Sequence, residues 1–353
     1  MSGFAVYRLP YESRVTWVLQ TDGEPLELSS CMELNSKKGF VVAPFEIRPD
    51  QPILLIRPDQ VETIPVEQIP SLQLPVSAEP TDIVGGQRIH YAIDFANEHS
   101  QLELGTFRKI VLARCSDEES PEAIPPIELF HRACMLYPRM FISLVCTTKS
   151  GCWLTATPEI LLEGDAHNHW RTIALAGTIQ LEGEQLKGEG EDLSWSTKNI
   201  QEQRYVATYI AECLEQFTRD FHEDGPSTVR AANLVHLRSD FTFSLPDSQH
   251  VGDLLQALHP TPAVCGLPKR ETFQFIIRNE YTPRRYYSGF MGMLDAECKT
   301  HLYVSLRCMN IEGNRYHLYA GGGLLKDSTE DQEWQETEAK LETMRRCIAI
   351  KNM

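Results

Sequence analysis

Near the end of the chain Glu333, Glu336 and Lys340 stand at i, i+3 and i+7. On a helix turning about 100° per residue they fall within roughly 60° of one another. Two carboxylates and an ammonium on one face could hold a divalent cation together with an anionic substrate. A solvated face of ordinary Glu and Lys pairs has the same spacing. Just upstream, Gly321-Gly322-Gly323 would let a ligand lie against bare peptide N–H groups. The stretch from Tyr319 to Lys340 reads as strand, glycine turn and helix, with Ser328 and Asp331 as a capping box. No Gly-Lys-Ser/Thr follows the glycines, so this is not a nucleotide phosphate loop of the Walker kind.

Other groups could join this face. Lys109 lies in the strand-like run Phe107 to Arg114 and shares a side with Phe107 and Val111. Turned inward, its amine would be partly desolvated and drawn towards a useful base; at a sheet edge it would simply meet water. Glu159 follows Pro158 among Leu154, Ile160 and Leu161, where a carboxylic acid could stay protonated and donate, or be an ordinary turn glutamate. Glu202 extends by one turn the apolar helix face of Val206, Ile210, Cys213 and Phe217. A carboxylate pointing inward there must pair with a cation or bind a metal. Arg307, in the alternating run Leu302 to Cys308, could fork onto a substrate carboxylate or pair with a structural glutamate. His259 precedes Pro260-Thr261-Pro262 and suits a structural hydrogen bond.

The elements that would position these groups suit an α+β protein. Short β-type runs (16–19, 40–44, 53–56) precede a proline-rich connector at 65–80 and a helix at 88–102 with Ile89, Ile93, Ala96 and His99 or Ser100 inward. Strands follow at 107–114, 140–147 and 151–156, the last two as a hairpin closed by Thr157-Pro158-Glu159. The sheet continues through 160–162 and 170–176, and 183–195 reads as a charged loop. Helices are expected at 127–137, 198–217, 250–258 and 270–280, and strands at 229–237, 286–294 and 300–310. Few parallel crossover units are present, which favours large antiparallel sheets.

The chain has 353 residues and a net charge of -16, which excludes a generally basic nucleic-acid-binding surface. Its ten cysteines form no Cys-x-x-Cys pair, so neither a zinc site nor a disulfide framework is indicated, and a reducing cytoplasm is expected. No run reaches bilayer-spanning length, and Met1 to Val15 lacks the pattern of a signal peptide, so no membrane partner is expected.

Seven stretches between about Leu104 and Met344 together resemble the chorismate-utilising enzymes, the family of isochorismate, anthranilate, aminodeoxychorismate and salicylate synthases. They are Arg108 to Arg114, Ala156-Thr157-Pro158-Glu159, Leu175-Ala176-Gly177-Thr178, Lys198 to Glu202, His259 to Ala263, the spaced Glu280, Arg284, Tyr287 and Gly289, and the Tyr319 to Lys340 stretch. The resemblance implies a sandwich of large antiparallel sheets with helices outside. Residues 101–353 would be the catalytic region, and 1–100 a strand-rich part of the same globule with no matched motif.

By the same resemblance, Lys109 would activate water for attack on chorismate C2, and Glu159 would protonate the departing C4 hydroxyl. Glu202 and Glu336 would hold Mg²⁺, with Glu333 close to the metal or its waters. Arg307, Lys340, Gly321, Gly177 and Thr178 would bind the substrate's carboxylates, Ala263 would line the pocket, and His259 is counted with the substrate-binding positions. Aminodeoxychorismate synthases carry a nucleophilic lysine where this chain has Ala176, and amine-transferring members usually lack a lysine matching Lys109. The expected activity is therefore that of a Mg²⁺-dependent isochorismate synthase, monomeric and without a glutaminase subunit, serving menaquinone or siderophore biosynthesis. Rivals are a salicylate synthase, an amine-transferring synthase with a glutaminase partner, and a catalytically silent chorismate-binding protein. Thr155, Arg285 and Phe290 depart from the family's usual residues at turns.

Overall fold

Runs of β-branched and aromatic residues punctuated by glycine and proline become strands here, and segments with apolar residues every three to four positions become helices. The computed structural model describes residues 3–69, 87–181, 193–231 and 234–349. The expected connector at 65–80 and charged loop at 183–195 lie largely outside them. In chain order the elements begin with β1 (Gly3–Arg8), β2 (Arg14–Gln20), β3 (Leu26–Leu28), β4 (Gly39–Ala43), β5 (Ile53–Ile56) and β6 (Gln60–Pro65). Next come α1 (Gln87–Glu103), β7 (Lys109–Glu119), α2 (Pro126–Leu136), β8 (Phe141–Thr147), β9 (Gly151–Thr157), β10 (Ile160–Asp165) and β11 (Trp170–Gln180). Then follow α3 (Thr197–Leu214), β12 (Phe221–Ala231), β13 (Leu234–Phe243), α4 (Val251–Leu258), β14 (Gly266–Leu267) and α5 (Lys269–Asn279). The chain closes with β15 (Phe290–Leu294), β16 (Lys299–Val304), β17 (Cys308–Glu312), β18 (Arg315–Leu324) and α6 (Glu330–Ile348).

The strands form two nine-stranded antiparallel sheets, ordered β14-β7-β18-β17-β9-β8-β1-β2-β6 and β12-β13-β11-β10-β16-β15-β4-β5-β3. Val42, Trp153, Met291, Tyr303 and Tyr319 pack between them. Outside the first sheet, Phe130 of α2 and Leu341 and Met344 of α6 cover Leu144 and Leu154. Outside the second, Val206 and Ile210 of α3 and Leu254 and Leu258 of α4 cover Ala174 and Leu302. The result is an α+β sandwich with helices on its outer faces, each layer burying the apolar face of the next. The N-terminal strands complete both sheets, β1 pairing with β8 and β4 with β15.

Several expectations are corrected. Gly321, Gly322 and Gly323 lie inside β18, not in a turn. Ser328 does not cap α6: its hydroxyl accepts from Leu325 N–H, and the helix begins at Glu330. In α1, Ile89 and Ile93 face solvent, while Tyr91, Asp94, Phe95, Glu98 and Leu102 face inward. The inner face is apolar in its own right, Tyr91, Phe95 and Leu102 packing with Phe45, Phe107 and Ile110, and Asp94 beside them accepts from Tyr281 N–H at 2.9 Å. The single strand expected at 229–237 is instead the ends of two paired strands, Val229, Arg230 and Ala231 of β12 lying opposite His236, Val235 and Leu234 of β13. Thr157-Pro158-Glu159 carries the chain from one sheet to the other instead of closing a hairpin. Cys146 and Cys152, opposite one another in the β8–β9 hairpin, form a disulfide. Their proximity depends on hairpin register, which no cysteine spacing records. Among the described residues no helix is long and apolar enough to cross a membrane.

Candidate active site

Two crossovers between the sheets lie side by side. Pro158 and Glu159 join β9 of the first sheet to β10 of the second, and Ser305-Leu306-Arg307 join β16 of the second to β17 of the first. They run antiparallel, Val304 N–H donating to Glu159 O at 2.9 Å and Ala156 N–H to Arg307 O at 3.1 Å. Arg307, expected within a strand, instead adopts φ 46° at this switch, a left-handed conformation that costs a non-glycine residue about 1–3 kcal/mol. Its guanidinium is buried, and burial brings its pKa down to about 10 against the opposing charge of Glu159. Nη2 donates to His236 Nε2 at 2.6 Å, while Nη1 is buried without a partner. His236 Nδ1–H donates to Gly177 O at 3.0 Å, which leaves Nε2 as the acceptor. Burial and the charges of Arg307 and Lys340 push this imidazole's pKa well down, so it stays neutral. Glu159 is buried too: desolvation raises its pKa to about 7, although Lys109, Arg307 and Lys340 pull the other way. A carboxylic acid able to donate near neutrality therefore stands beside three cations.

The opposite wall is backbone. Gly177 has φ 72° at a bulge in β11, where the register with β13 shifts between Ala176 and Thr178. Its freed N–H donates to Glu202 Oε2 at 3.2 Å. The three glycines of β18 serve close approach. A Cβ on Gly323 would stand 2.1 Å from Glu202 Oε1, one on Gly321 2.7 Å from the Tyr287 hydroxyl, and one on Gly322 3.0 Å from Glu333 Oε2. The strand is stripped so that carboxylates of α3 and α6 can lie on it.

Each of those carboxylates faces a lysine. Lys109 Nζ is 2.9 Å from Glu202 Oε1, an ion pair in which the lysine is fully buried. Lys198 pairs with Glu333, and Lys340 Nζ sits 2.8 Å from Glu336 Oε1 while donating to Gly321 O at 2.7 Å. Burial disfavours the charge on Glu202, but Lys109, aided by Lys198 and Lys340, holds its pKa below the usual range. Burial and the neighbouring Glu336 charge raise Glu333 to about 7 in spite of Lys198. Glu333 Oε2 is a buried acceptor without a partner. The three carboxylates offer oxygens of the type hard divalent cations use, each engaged by a lysine.

These groups surround a cavity between the two sheets' crossovers and α6. Glu159, Glu202, Glu336, Arg307 and Lys340 line it, as do Gly177, Thr178, Ala263 and Gly321. Lys109 and Glu333 stand behind that lining, held to Glu202 and Lys198. His259 is elsewhere: its ring donates to Pro44 O at 3.1 Å, packs edge-on to Phe290, and is kept neutral by burial and Lys269, with a pKa down to about 3. Sequence reading gave no role to His236, which lines the cavity, or to Lys198. A lone histidine in the apolar run Leu234 to Leu237 was the available signal for the first.

A family model described as chorismate binding enzyme matches residues 66–349. The chain belongs to the chorismate-binding enzyme family. Among members of that family, it is 32% identical over 286 residues to the salicylate biosynthesis isochorismate synthase of Pseudomonas aeruginosa, a match covering 78% of this chain and 58% of that protein. It is 30% identical over 239 residues to isochorismate synthase EntC of Escherichia coli, covering 67% and 61%. The matches thus span about three fifths of these relatives' lengths. In fold the chain is like MenF, the menaquinone-specific isochorismate synthase of Escherichia coli, with a TM-score of 0.80, 23% identity and coverage of 98% of this chain and 88% of that one.

Proposed function

We propose that this member of the chorismate-binding enzymes converts chorismate to isochorismate with the help of Mg²⁺. The observation that carries the proposal is Glu159, a buried acid with a pKa of about 7 that lines a cavity also bounded by Arg307 and Lys340. The isochorismate synthases among the relatives support it. Arg307, with an unpartnered Nη1, and Lys340 supply cations for a dicarboxylate, and the bulge at Gly177-Thr178 and the bare strand at Gly321 supply close backbone. Glu202 and Glu336 would hold the metal, with Glu333 next to it; the unpartnered Glu333 Oε2 and the glycine cradle suit that use. Bound there, Mg²⁺ would neutralise and fix the ring carboxylate of the substrate.

In the reaction Lys109, parted from Glu202, accepts a proton from the water whose oxygen bonds to C2. The ring double bonds shift, the C4–O bond breaks, and Glu159 gives its proton to the leaving hydroxyl. One water enters and one leaves, so the product is an isomer of the substrate. Water as nucleophile needs no glutaminase partner, consistent with Ala176 and Lys109 at their positions. Chromatography of the protein incubated with chorismate and Mg²⁺ tests the reading. Isochorismate is expected, salicylate with pyruvate would move the activity to the salicylate branch, and unchanged chorismate would overturn it.

A further inference from the structure

Farther along the β7–β18 ladder, beyond the cavity, a thiol, a carboxylate and an imidazole converge. Cys115 and Asp117 fall on one side of β7 by strand alternation, and His317 of β18 pairs directly opposite Asp117. Their ligand atoms all lie within 4.8 Å of one another. Cys115 Sγ is 3.6 Å from Asp117 Oδ1, and His317 Nδ1 is 2.5 Å from the same oxygen. In a tetrahedral zinc site, with bonds of about 2.3 Å to sulfur and about 2.0 Å to nitrogen or oxygen, neighbouring donors stand about 3.3–3.6 Å apart. The sulfur–oxygen edge already has that length, and the nitrogen–oxygen edge needs to open by less than about 1 Å.

A second feature points the same way. Glu312 Oε2 lies 3.6 Å from the other ring nitrogen of His317, Nε2. A metal-ligating histidine commonly donates its other ring N–H to a carboxylate, and Glu312 has to close by about 0.5 Å to accept that proton while Nδ1 turns from Asp117 to the ion. With the Asp117 side chain 49% exposed, an ion can reach the group from solvent. Taken alone, these contacts are ion pairs of His317 with Asp117 and Glu312 and a thiol hydrogen bond to Asp117; the gathering of three different donor types within 4.8 Å is what a zinc-class ion would use.

We propose that Cys115, Asp117 and His317 form a second metal site, selective for a borderline-soft divalent cation of the zinc class, with Glu312 orienting the histidine and water in the fourth position. The mixed sulfur, nitrogen and oxygen donors differ from the all-oxygen set of Glu202, Glu333 and Glu336, so the two sites sort cations by softness. A metal here would clamp together β7 and β18, the strands that carry Lys109 and the three glycines.

The test is equilibrium dialysis of the full chain against Zn²⁺ in excess Mg²⁺, followed by metal analysis, with visible and near-ultraviolet spectra after Co²⁺ loading. One retained zinc and a thiolate-to-cobalt charge-transfer band are expected. Cys115→Ser should abolish the band, Glu312→Gln should weaken zinc binding by ~10-fold, and His317→Gln should weaken it at least as much. Cys298→Ser, which removes an exposed thiol, and Glu336→Gln should leave both readouts unchanged. His317→Cys, which restores a zinc donor, should recover binding and guards against loss through misfolding. Retention of zinc by Cys115→Ser and His317→Gln at the parent's level would overturn the proposal, as would loss of zinc in Cys298→Ser or Glu336→Gln alone.

Discussion

Glu159 and Arg307 meet because each sits on a sheet-to-sheet crossover, and the two crossovers are tied by hydrogen bonds of 2.9 and 3.1 Å between Val304 and Glu159 and between Ala156 and Arg307. The acid that would protonate the leaving group and the cation that would hold the substrate are therefore placed by the same joint between sheets.

In the proposed reaction Glu159 acts in its protonated form, and burial raises its pKa to about 7. Turnover limited by this proton is therefore full well below pH 7 and declines as pH rises through about 7. Glu159→Gln should lower kcat by ~10²–10⁴-fold, the usual loss on removing a general acid, and flatten that limb of the profile. Steady-state rates against pH for both proteins check this.

Lys109→Ala should remove water addition to a similar extent and also leave Glu202 buried without its cation. Breaking a buried pair from one side costs about 3–5 kcal/mol. A lowered melting temperature by calorimetry should accompany the lost activity, and adding Glu202→Gln to Lys109→Ala should recover much of the stability but none of the turnover.

Gly323→Ala would drive a methyl to 2.1 Å from Glu202 Oε1, whereas Gly322→Ala would place one 3.0 Å from Glu333 Oε2. The first substitution must displace a proposed metal ligand; the second asks only a small adjustment. Titration calorimetry with Mg²⁺ should show at least a ~10-fold weaker affinity for Gly323→Ala and a smaller change for Gly322→Ala, in line with the sensitivity of metal sites to ligand placement.

His236→Ala removes the acceptor 2.6 Å from Arg307 Nη2. Leaving that buried donor unsatisfied costs about 1–3 kcal/mol. Because Arg307 would then be free to turn from the cavity, the effect should fall mainly on KM, raised by ~10-fold, with kcat less affected.

Residues whose placement follows from local periodicity were legible in the sequence. Glu202 continues an apolar helix face and Lys109 alternates with apolar strand residues, and both are buried where that pattern puts them. Three glycines in a row were ambiguous, since a tight turn and a strand stripped for close packing require the same residue. What separates the two is the carboxylate of Glu202, more than a hundred positions away. The left-handed Arg307 was hidden for a similar reason, because alternation in Leu302 to Cys308 continues through the point where the chain changes sheets. His236 and Thr178 become neighbours only through the β11–β13 register, which depends on the bulge at Gly177. The α1 face was misread because the helix offers two apolar stripes, Ile89 with Ile93 and Tyr91 with Phe95 and Leu102, and only contact with Phe45, Phe107 and Ile110 selects the second.

The central claim is that water attacks chorismate while Lys109 and Glu159 move the protons. Mass spectrometry of the product formed from chorismate and Mg²⁺ in H₂¹⁸O tests it most directly. The account predicts isochorismate carrying ¹⁸O in its new C2 hydroxyl, formed without ammonium and lost in Lys109→Ala. Unlabelled isochorismate, or an amino product that appears only when ammonium is added, would contradict it.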